Sequence, residues 1–141
     1  MKTLFRESIK LKVSSVLFFV LMLFASFTSD ELINIKIDVA PNVLNIASSG
    51  TVVTVHTDIA YSKVEGASVY LNDVPIACWK SDSRGQFVAK FNMEEVETLV
   101  TEGVLDEGEI TLNLSGTTKL GISFKGSQFI SVIDVTSVGK K

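Results

Sequence analysis

One histidine, one cysteine and two aromatic side chains are the residues of this sequence that bear most directly on chemistry. His56 is the only histidine, and a catalytic triad or a histidine-based metal site needs partners held at fixed geometry around the imidazole. In the alternating segment 51–57, Val53 and Val55 share one side and His56 takes the other, solvent-facing side. The serines lie in no G-x-S-x-G sequence. We therefore expect no enzyme, no catalytic residue and no metal at His56.

Acidic residues form two groups, and neither needs a ligand to explain it. The first, Glu94, Glu95 and Glu97, falls in the first turn of a predicted helix, where carboxylates favour the positive end of the helix dipole. The second, in a predicted turn, is Asp106, Glu107 and Glu109. Carboxylate oxygens are calcium ligands, but this spacing matches no calcium loop. We expect solvated charge in both groups, no metal and no cofactor.

The single cysteine, Cys78, cannot form a disulfide within the chain. Export would permit a disulfide with another chain. A lone cysteine in a strand pattern more often acts as a small buried apolar side chain. We expect Cys78 to be buried, and an intermolecular disulfide is the alternative.

Tyr70 and Trp79 are the candidate ligand-binding residues. A turn-prone sequence, Asn72-Asp73-Val74-Pro75, joins two predicted strands. If Asn72 faces Pro75, the two aromatic side chains become diagonal neighbours on one face of the hairpin. There they could stack on a sugar ring or anchor a protein partner; the alternative is that the other sheet or the short helix covers this face. The same register buries, on the reverse face, Val69, Leu71, Ile76 and Cys78.

The first 29 residues have the pattern of a secretory signal. Residues 13–27 are apolar and uncharged, and the residues before them include Lys2, Arg6, Lys10 and Lys12. As a helix, 13–27 would span roughly 22 Å, less than the ~30 Å hydrocarbon core of a bilayer. We expect 1–29 to be a signal peptide and the protein to be periplasmic, secreted or on the cell surface. The alternative is a signal-anchor that holds the protein in the membrane by residues 13–27.

Charge excludes two classes of partner. Four of the 13 Lys and Arg and one of the 16 Asp and Glu precede residue 30. The remaining chain therefore carries nine basic and fifteen acidic residues, a formal net charge of −6. Because nucleic acids and anionic lipids are bound largely through Lys and Arg, we expect no nucleic-acid partner. Membrane contact is expected only through the N-terminal segment, if it is not cleaved.

After residue 29 the sequence changes to alternation, which predicts strands with one buried face. Asn92 is a predicted helix N-cap and Gly103 a predicted helix end, so 93–101 is expected to be helical. We predict an all-β antiparallel sandwich of 7–9 strands with one short helix over 30–135, and a polar tail over 136–141. A closed barrel is the alternative. The predicted strands are 33–39, 43–46, 51–57, 67–71, 76–80, 86–91, 110–114, 120–124 and 129–135.

Five sequence blocks in this order resemble the Ig-like β-sandwich modules of secreted and cell-surface bacterial and archaeal multidomain proteins. They are PNVLNIASSGTVVTVHT, ASVYLNDVPI, DSRGQFVAKFNMEEVETLV, EITLNLSG and FKGSQFISVI. The resemblance implies an Ig-like fold and a spacer, adhesive or substrate-proximal role, and it carries no catalytic residue.

These observations lead to three expectations about function. The first is an exported, non-catalytic Ig-like module for adhesion, envelope or matrix assembly, which binds a protein partner or an extracellular polysaccharide through its loops or by strand addition at a sheet edge. The second is a carbohydrate-binding module that uses Tyr70 and Trp79. The third is an accessory subunit or inhibitor of an exported enzyme.

Overall fold

Strands form in this chain where apolar and polar residues alternate, because successive side chains of a strand point to opposite faces. A computed structural model describes residues 30–103 and 108–134. The predicted signal segment 1–29, Asp106, Glu107, the last residue of the predicted strand 129–135 and the predicted tail 136–141 lie outside the described residues. The strands are β1 (Leu32–Asn34), β2 (Ile37–Ala40), β3 (Val43–Asn45), β4 (Val52–Ala60), β5 (Tyr70–Leu71), β6 (Val74–Pro75), β7 (Cys78–Ser81), β8 (Gln86–Asn92), β9 (Gly108–Thr117) and β10 (Ser123–Ile133).

The strands form two sheets, which confirms the predicted all-β sandwich and not the barrel. The prediction of 7–9 strands, all antiparallel, is wrong in detail, since the described residues form ten strands, two of which pair in parallel with β10. In the six-stranded sheet, β1 and β3 both lie parallel to β10, followed by β9, β5 and β6. The four-stranded sheet has the order β2-β4-β8-β7. The predicted strand 33–39 is therefore wrong as one element, because it is divided between the two sheets. The chain changes sheet at Ile35, whose N–H donates to the Lys125 carbonyl at 2.9 Å.

The core lies between the two sheets and is made by the inward-facing half of each alternating pattern. Its largest fully buried side chains include Phe87, Phe91 and Phe124. Val53 and Val55 of β4 are buried in it, as the alternation in 51–57 predicts. The buried set reaches both sheets and the helix, so one apolar interior stabilises the whole described part of the chain.

The helix α1 (Met93–Thr101) forms as predicted and covers one end of the core. Its N-terminus is capped by Asn92, whose side-chain oxygen accepts the Glu94 N–H at 3.0 Å. It ends before Gly103, which has φ +72°. Its buried side chains are Met93, Val96, Leu99 and Val100. Within residues 30–103 and 108–134, no helix combines the length and apolarity that a bilayer crossing requires.

The predicted strands 120–124 and 129–135 are wrong as separate elements. The structure has one long strand, β10, which forms a hairpin with β9. Gly121, with φ +81°, lies in the hairpin turn, where the Thr118 hydroxyl accepts the Ile122 N–H at 3.1 Å. Gly126 falls in the gap between these two predicted strands but lies inside β10, where the backbone at Ile35 packs directly against it. A methyl group at Gly126 would come within 2.8 Å of the Ile35 carbonyl oxygen.

Candidate binding surface

The hairpin register predicted around Tyr70 and Trp79 is wrong by two residues, because Pro75 faces Tyr70 and not Asn72. Leu71 pairs with Val74, and Tyr70 pairs with Pro75 across a two-residue turn. Asn72 adopts φ +52° in that turn, and its side-chain oxygen accepts the Asn113 N–H at 2.7 Å. This bond to β9 fixes the position of the turn. A shift of two residues keeps each side chain on its predicted face, and the predicted grouping fails for another reason, namely that β7 does not pair with β5.

After Pro75 the chain leaves the six-stranded sheet, and Trp79 and Tyr70 end in different sheets. Trp79 lies in β7 opposite Ala89, a fully buried residue, so its side chain is on the core side of the four-stranded sheet, at the edge. The indole lies against Gly66, where a methyl group would come within 2.2 Å of its Cε2 atom. Trp79 is nevertheless 40% exposed. Its ring closes the side of the sandwich while one part faces solvent.

Cys78 is exposed, which corrects the prediction that it is buried. It pairs with Lys90 in β8, on the outer face of the four-stranded sheet. The cause is the same crossover, since β7 pairs with β8 and not with β5. The residue therefore presents its thiol to solvent beside a lysine.

Tyr70 lies on the outer face of the six-stranded sheet and is 44% exposed. It is opposite Ser115 in β9, which is opposite Lys125 in β10. A second aromatic side chain on this face, Phe129, is 68% exposed and lies opposite Thr111. The backbone positions of the two residues are separated by two strand spacings and four residues along the strands, roughly 17 Å. They are too far apart to bind one sugar ring together.

Phe129 is the aromatic residue that the sequence analysis missed. Two other exposed apolar side chains lie near it on the same face: Val43, whose strand neighbour is Ser131, and Ile133. We call these three residues, Val43, Phe129 and Ile133, the β10 patch. The alternation of buried Phe124, Ile130 and Val132 along one continuous strand would have placed Phe129 outward. The sequence prediction divides β10 into two strands, so the alternation along the whole strand could not be used to place Phe129.

His56 is exposed on the outer face of the four-stranded sheet, as predicted, and pairs with Asp38 in β2. It lines an open cleft of ≈ 490 Å³ together with Asp58, Asp82 and Arg84. Two of the carboxylates there, Asp58 and Asp82, have backbone partners, and Asp58 Oδ1 accepts the Lys36 N–H at 2.9 Å. The described part of the chain contains no group of three or more His, Cys, Asp or Glu residues placed to hold a metal ion.

Asp82 organises the turn between β7 and β8 through its side chain. Its Oδ1 atom accepts the N–H groups of Gln86 at 2.9 Å and Arg84 at 2.8 Å. The Gln86 hydrogen bond is the largest cause of a lowered Asp82 pKa, because it favours the charged carboxylate. The same two hydrogen bonds therefore hold the turn together and favour the ionised form of the carboxylate.

The predicted first-turn carboxylates of α1 are confirmed for Glu94 and Glu95 but not for Glu97, which lies beyond that turn. The Oε1 atom of Glu97 is buried and has no hydrogen-bond partner. Burial, and after it the Glu94 carboxylate, raises the pKa of Glu97. A raised pKa means that the folded state holds this proton to higher pH than the unfolded state. Ionised Glu97 therefore lowers the stability of the fold. This cost is absent at a pH below the ordinary pKa of glutamate and grows as the pH rises through that pKa.

Glu97→Gln is expected to stabilise the protein at neutral pH, by up to about 0.5 kcal/mol because the side chain is only partly buried. The gain should vanish near pH 3, where wild-type Glu97 is protonated in both states. Thermal melts across pH measure this. The control is Glu95→Gln, an exposed first-turn residue, which should lose a little stability at neutral pH as its favourable dipole interaction disappears. An equal gain at acid and neutral pH would contradict the burial argument.

Two surfaces of the described chain thus have features suited to recognition. One is the β10 patch on the outer face of the six-stranded sheet, and the other is the edge at β7 that carries Trp79. No family model, curated protein or solved structure matches this chain.

Proposed function

We propose that this chain is an exported, non-catalytic Ig-like module that binds a protein partner in adhesion, envelope or matrix assembly. Its strand order supports the Ig-like part of this proposal. In Ig constant-type sandwiches, the first, second, fifth and fourth strands form one sheet, and the third, sixth and seventh form the other. The orders β2-β4-β8-β7 and β5-β9-β10 agree with this arrangement when β1, β3 and β6 are taken as additions at the edges.

The β10 patch is the observation that carries a binding role. Isolated exposed apolar side chains are ordinary, but a group of them on one sheet face is typical of an interaction site. Around Phe129 the neighbours on this face are polar and small, among them Ser127, Thr111 and Ser131. Aromatic side chains are enriched at protein–protein interfaces, and Phe129 is the most exposed aromatic side chain of the described residues.

Phe129→Ala is expected to reduce partner capture by about tenfold or more, because truncating a hot-spot residue of an interface costs about 2 kcal/mol or more. The tagged full chain would be expressed in its host, cross-linked and recovered from the envelope fraction. The matched control is Leu120→Ala, since Leu120 is 88% exposed in the β9–β10 turn, away from the patch. Equal capture by wild type and Phe129→Ala would contradict the assignment of the patch.

Export is tested separately by the N-terminal residue of the purified protein. The apolar run 13–27 with its basic flank supports a cleaved signal. We expect the mature chain to begin near residue 30 and to fractionate outside the cytoplasm. A cytosolic protein with an intact N-terminus would contradict the proposal.

Carbohydrate binding is the second candidate, favoured by the exposure of the Tyr70 and Trp79 rings. Since these two residues lie in different sheets, each would have to act as a separate stacking platform. A glycan array with wild type, Tyr70→Ala and Trp79→Ala distinguishes the two functions. Retention of every glycan signal in both variants would remove this candidate.

A further inference from the structure

Of the edge strands among the described residues, β7 offers the longest stretch of open backbone. The edge strand β6 has two residues, and one of them, Pro75, has no N–H to donate. At the opposite edge of that sheet, β1 and β3 lie beside the two ends of β10 and have only three residues each. In β2, the Val39 N–H already donates to Gln128 Oε1 at 2.7 Å. By contrast, β7 has four residues, none of them proline or glycine, and β8 is its neighbour on one side only.

The hydrogen bonding at the β7–β8 turn indicates which backbone groups of β7 point outward. The Asp82 N–H donates to the Gln86 carbonyl at 3.0 Å, so the backbone N–H of Asp82 points toward β8. The backbone groups of an antiparallel strand alternate in direction. Those of Lys80 therefore point toward β8, and the N–H and C=O groups of Trp79 and Ser81 point away from it. These outward groups are available to pair with another strand.

The side chains along β7 indicate the chemistry of the strand that would fit. On the outer face, the charged residues of β7 and its ladder partners in β8 are Lys80 and Lys90. No Asp or Glu occurs in β7 or among those ladder partners. On the other face, Trp79 offers a partly exposed apolar ring. A strand added beside β7 would therefore place alternate side chains next to lysines and next to an indole.

We propose that β7 is the acceptor edge for an extended segment of the partner protein in which acidic residues alternate with apolar ones. This inference rests on the proposed function, that the chain binds a protein. Main-chain hydrogen bonds to Trp79 and Ser81 supply affinity, and the alternate side chains supply specificity. A second copy of this chain fits less well, because pairing two β7 strands would bring the Lys80 side chains of both copies into one short ladder.

Trp79 reports on this edge directly, because it is the only tryptophan of the chain. The probe is a short synthetic peptide that alternates glutamate and valine, added to the purified full chain. We expect a saturable blue shift of tryptophan emission as the added strand removes water from the indole. A peptide with lysine in place of glutamate should give no shift. A peptide in which proline replaces valine should also fail, because it lacks the N–H groups of an added strand.

Two variants separate strand addition from simple contact with the indole. Ser81→Pro removes an outward N–H and leaves the ladder to β8 in place, and it should weaken peptide binding by about tenfold, the value of one hydrogen bond. Ser81→Ala keeps the N–H and should bind like wild type. Lys80→Glu, which needs no change of backbone, should no longer bind the glutamate peptide and should bind the lysine peptide instead.

The following results would overturn the assignment of β7: no shift with the glutamate peptide, equal shifts with the lysine or proline peptides, or an unchanged preference in Lys80→Glu. Should the peptide tests fail while Phe129→Ala still loses partner capture, the assignment of β7 as the acceptor edge is wrong and the proposed function stands. Should both fail, the proposed function is wrong as well.

Discussion

Phe124→Ala is expected to lower the free energy of unfolding by about 3–5 kcal/mol. Phe124 is 1% exposed and lies in the core opposite Gly116 on β9 and Ile33 on β1. Its ring occupies the space that a side chain at Gly116 would need, since a methyl group there would come within 2.7 Å of its Cζ atom. Removing the ring therefore leaves a cavity lined by strands that are held by their own ladders and cannot collapse into it.

The matched control for this prediction is Phe129→Ala, the same chemical change five residues along the same strand. Phe129 is exposed, so its truncation should change stability by no more than about 0.5 kcal/mol. Urea denaturation of both variants and wild type, with the slope compared as well as the midpoint, measures the difference. Similar losses in the two variants would show that β10 does not have the inward and outward faces described above.

Gly126→Ala is expected to cost about 1–3 kcal/mol, as an overpacked site. The added methyl group would come within 2.7 Å of Ile37 Cγ2 and 2.8 Å of the Ile35 carbonyl oxygen. The Ile37 side chain can rotate away, but Ile35 is held by its own N–H, which donates to Lys125. The overlap between the methyl group and the Ile35 carbonyl could be removed only if the backbone moved where the chain passes from one sheet to the other.

Ser123→Ala is the control for Gly126→Ala, because Ser123 is an exposed residue of the same strand. Its stability should remain close to that of wild type. Thermal and urea unfolding of both variants measure the effect. A Gly126→Ala protein as stable as wild type would contradict the close approach of the Ile35 backbone.

The helix and much of the core could be predicted from the sequence, because both depend on local patterns. Asn92 precedes a run in which Val96, Leu99 and Val100 recur at helical spacing, and these side chains are the ones buried. In β4, the alternation of Val53, Val55 and His56 indicates which face is inside without reference to any other strand. Such predictions need only the period of a helix or strand.

The candidate binding residues could be predicted only in part. Tyr70 and Trp79 are exposed, as a binding role requires, but their predicted pairing depended on the register of one hairpin and on both of its strands lying in one sheet. Asn72 sets that register through a hydrogen bond to Asn113, a residue distant in sequence. Phe129 was missed because Gly126 resembles a strand boundary when only its neighbours in sequence are considered.

The sequence by itself determined the alternating faces, the helix with its cap, and the charge balance, because each follows from neighbouring residues. Only the tertiary structure decided which strands pair, where the chain crosses between sheets, and which aromatic rings share a face. The physical reason is that register and sheet membership depend on contacts between residues far apart in the chain, such as Ile35 with Lys125. A one-residue change in such a contact reverses every side chain of a strand while its sequence pattern stays the same.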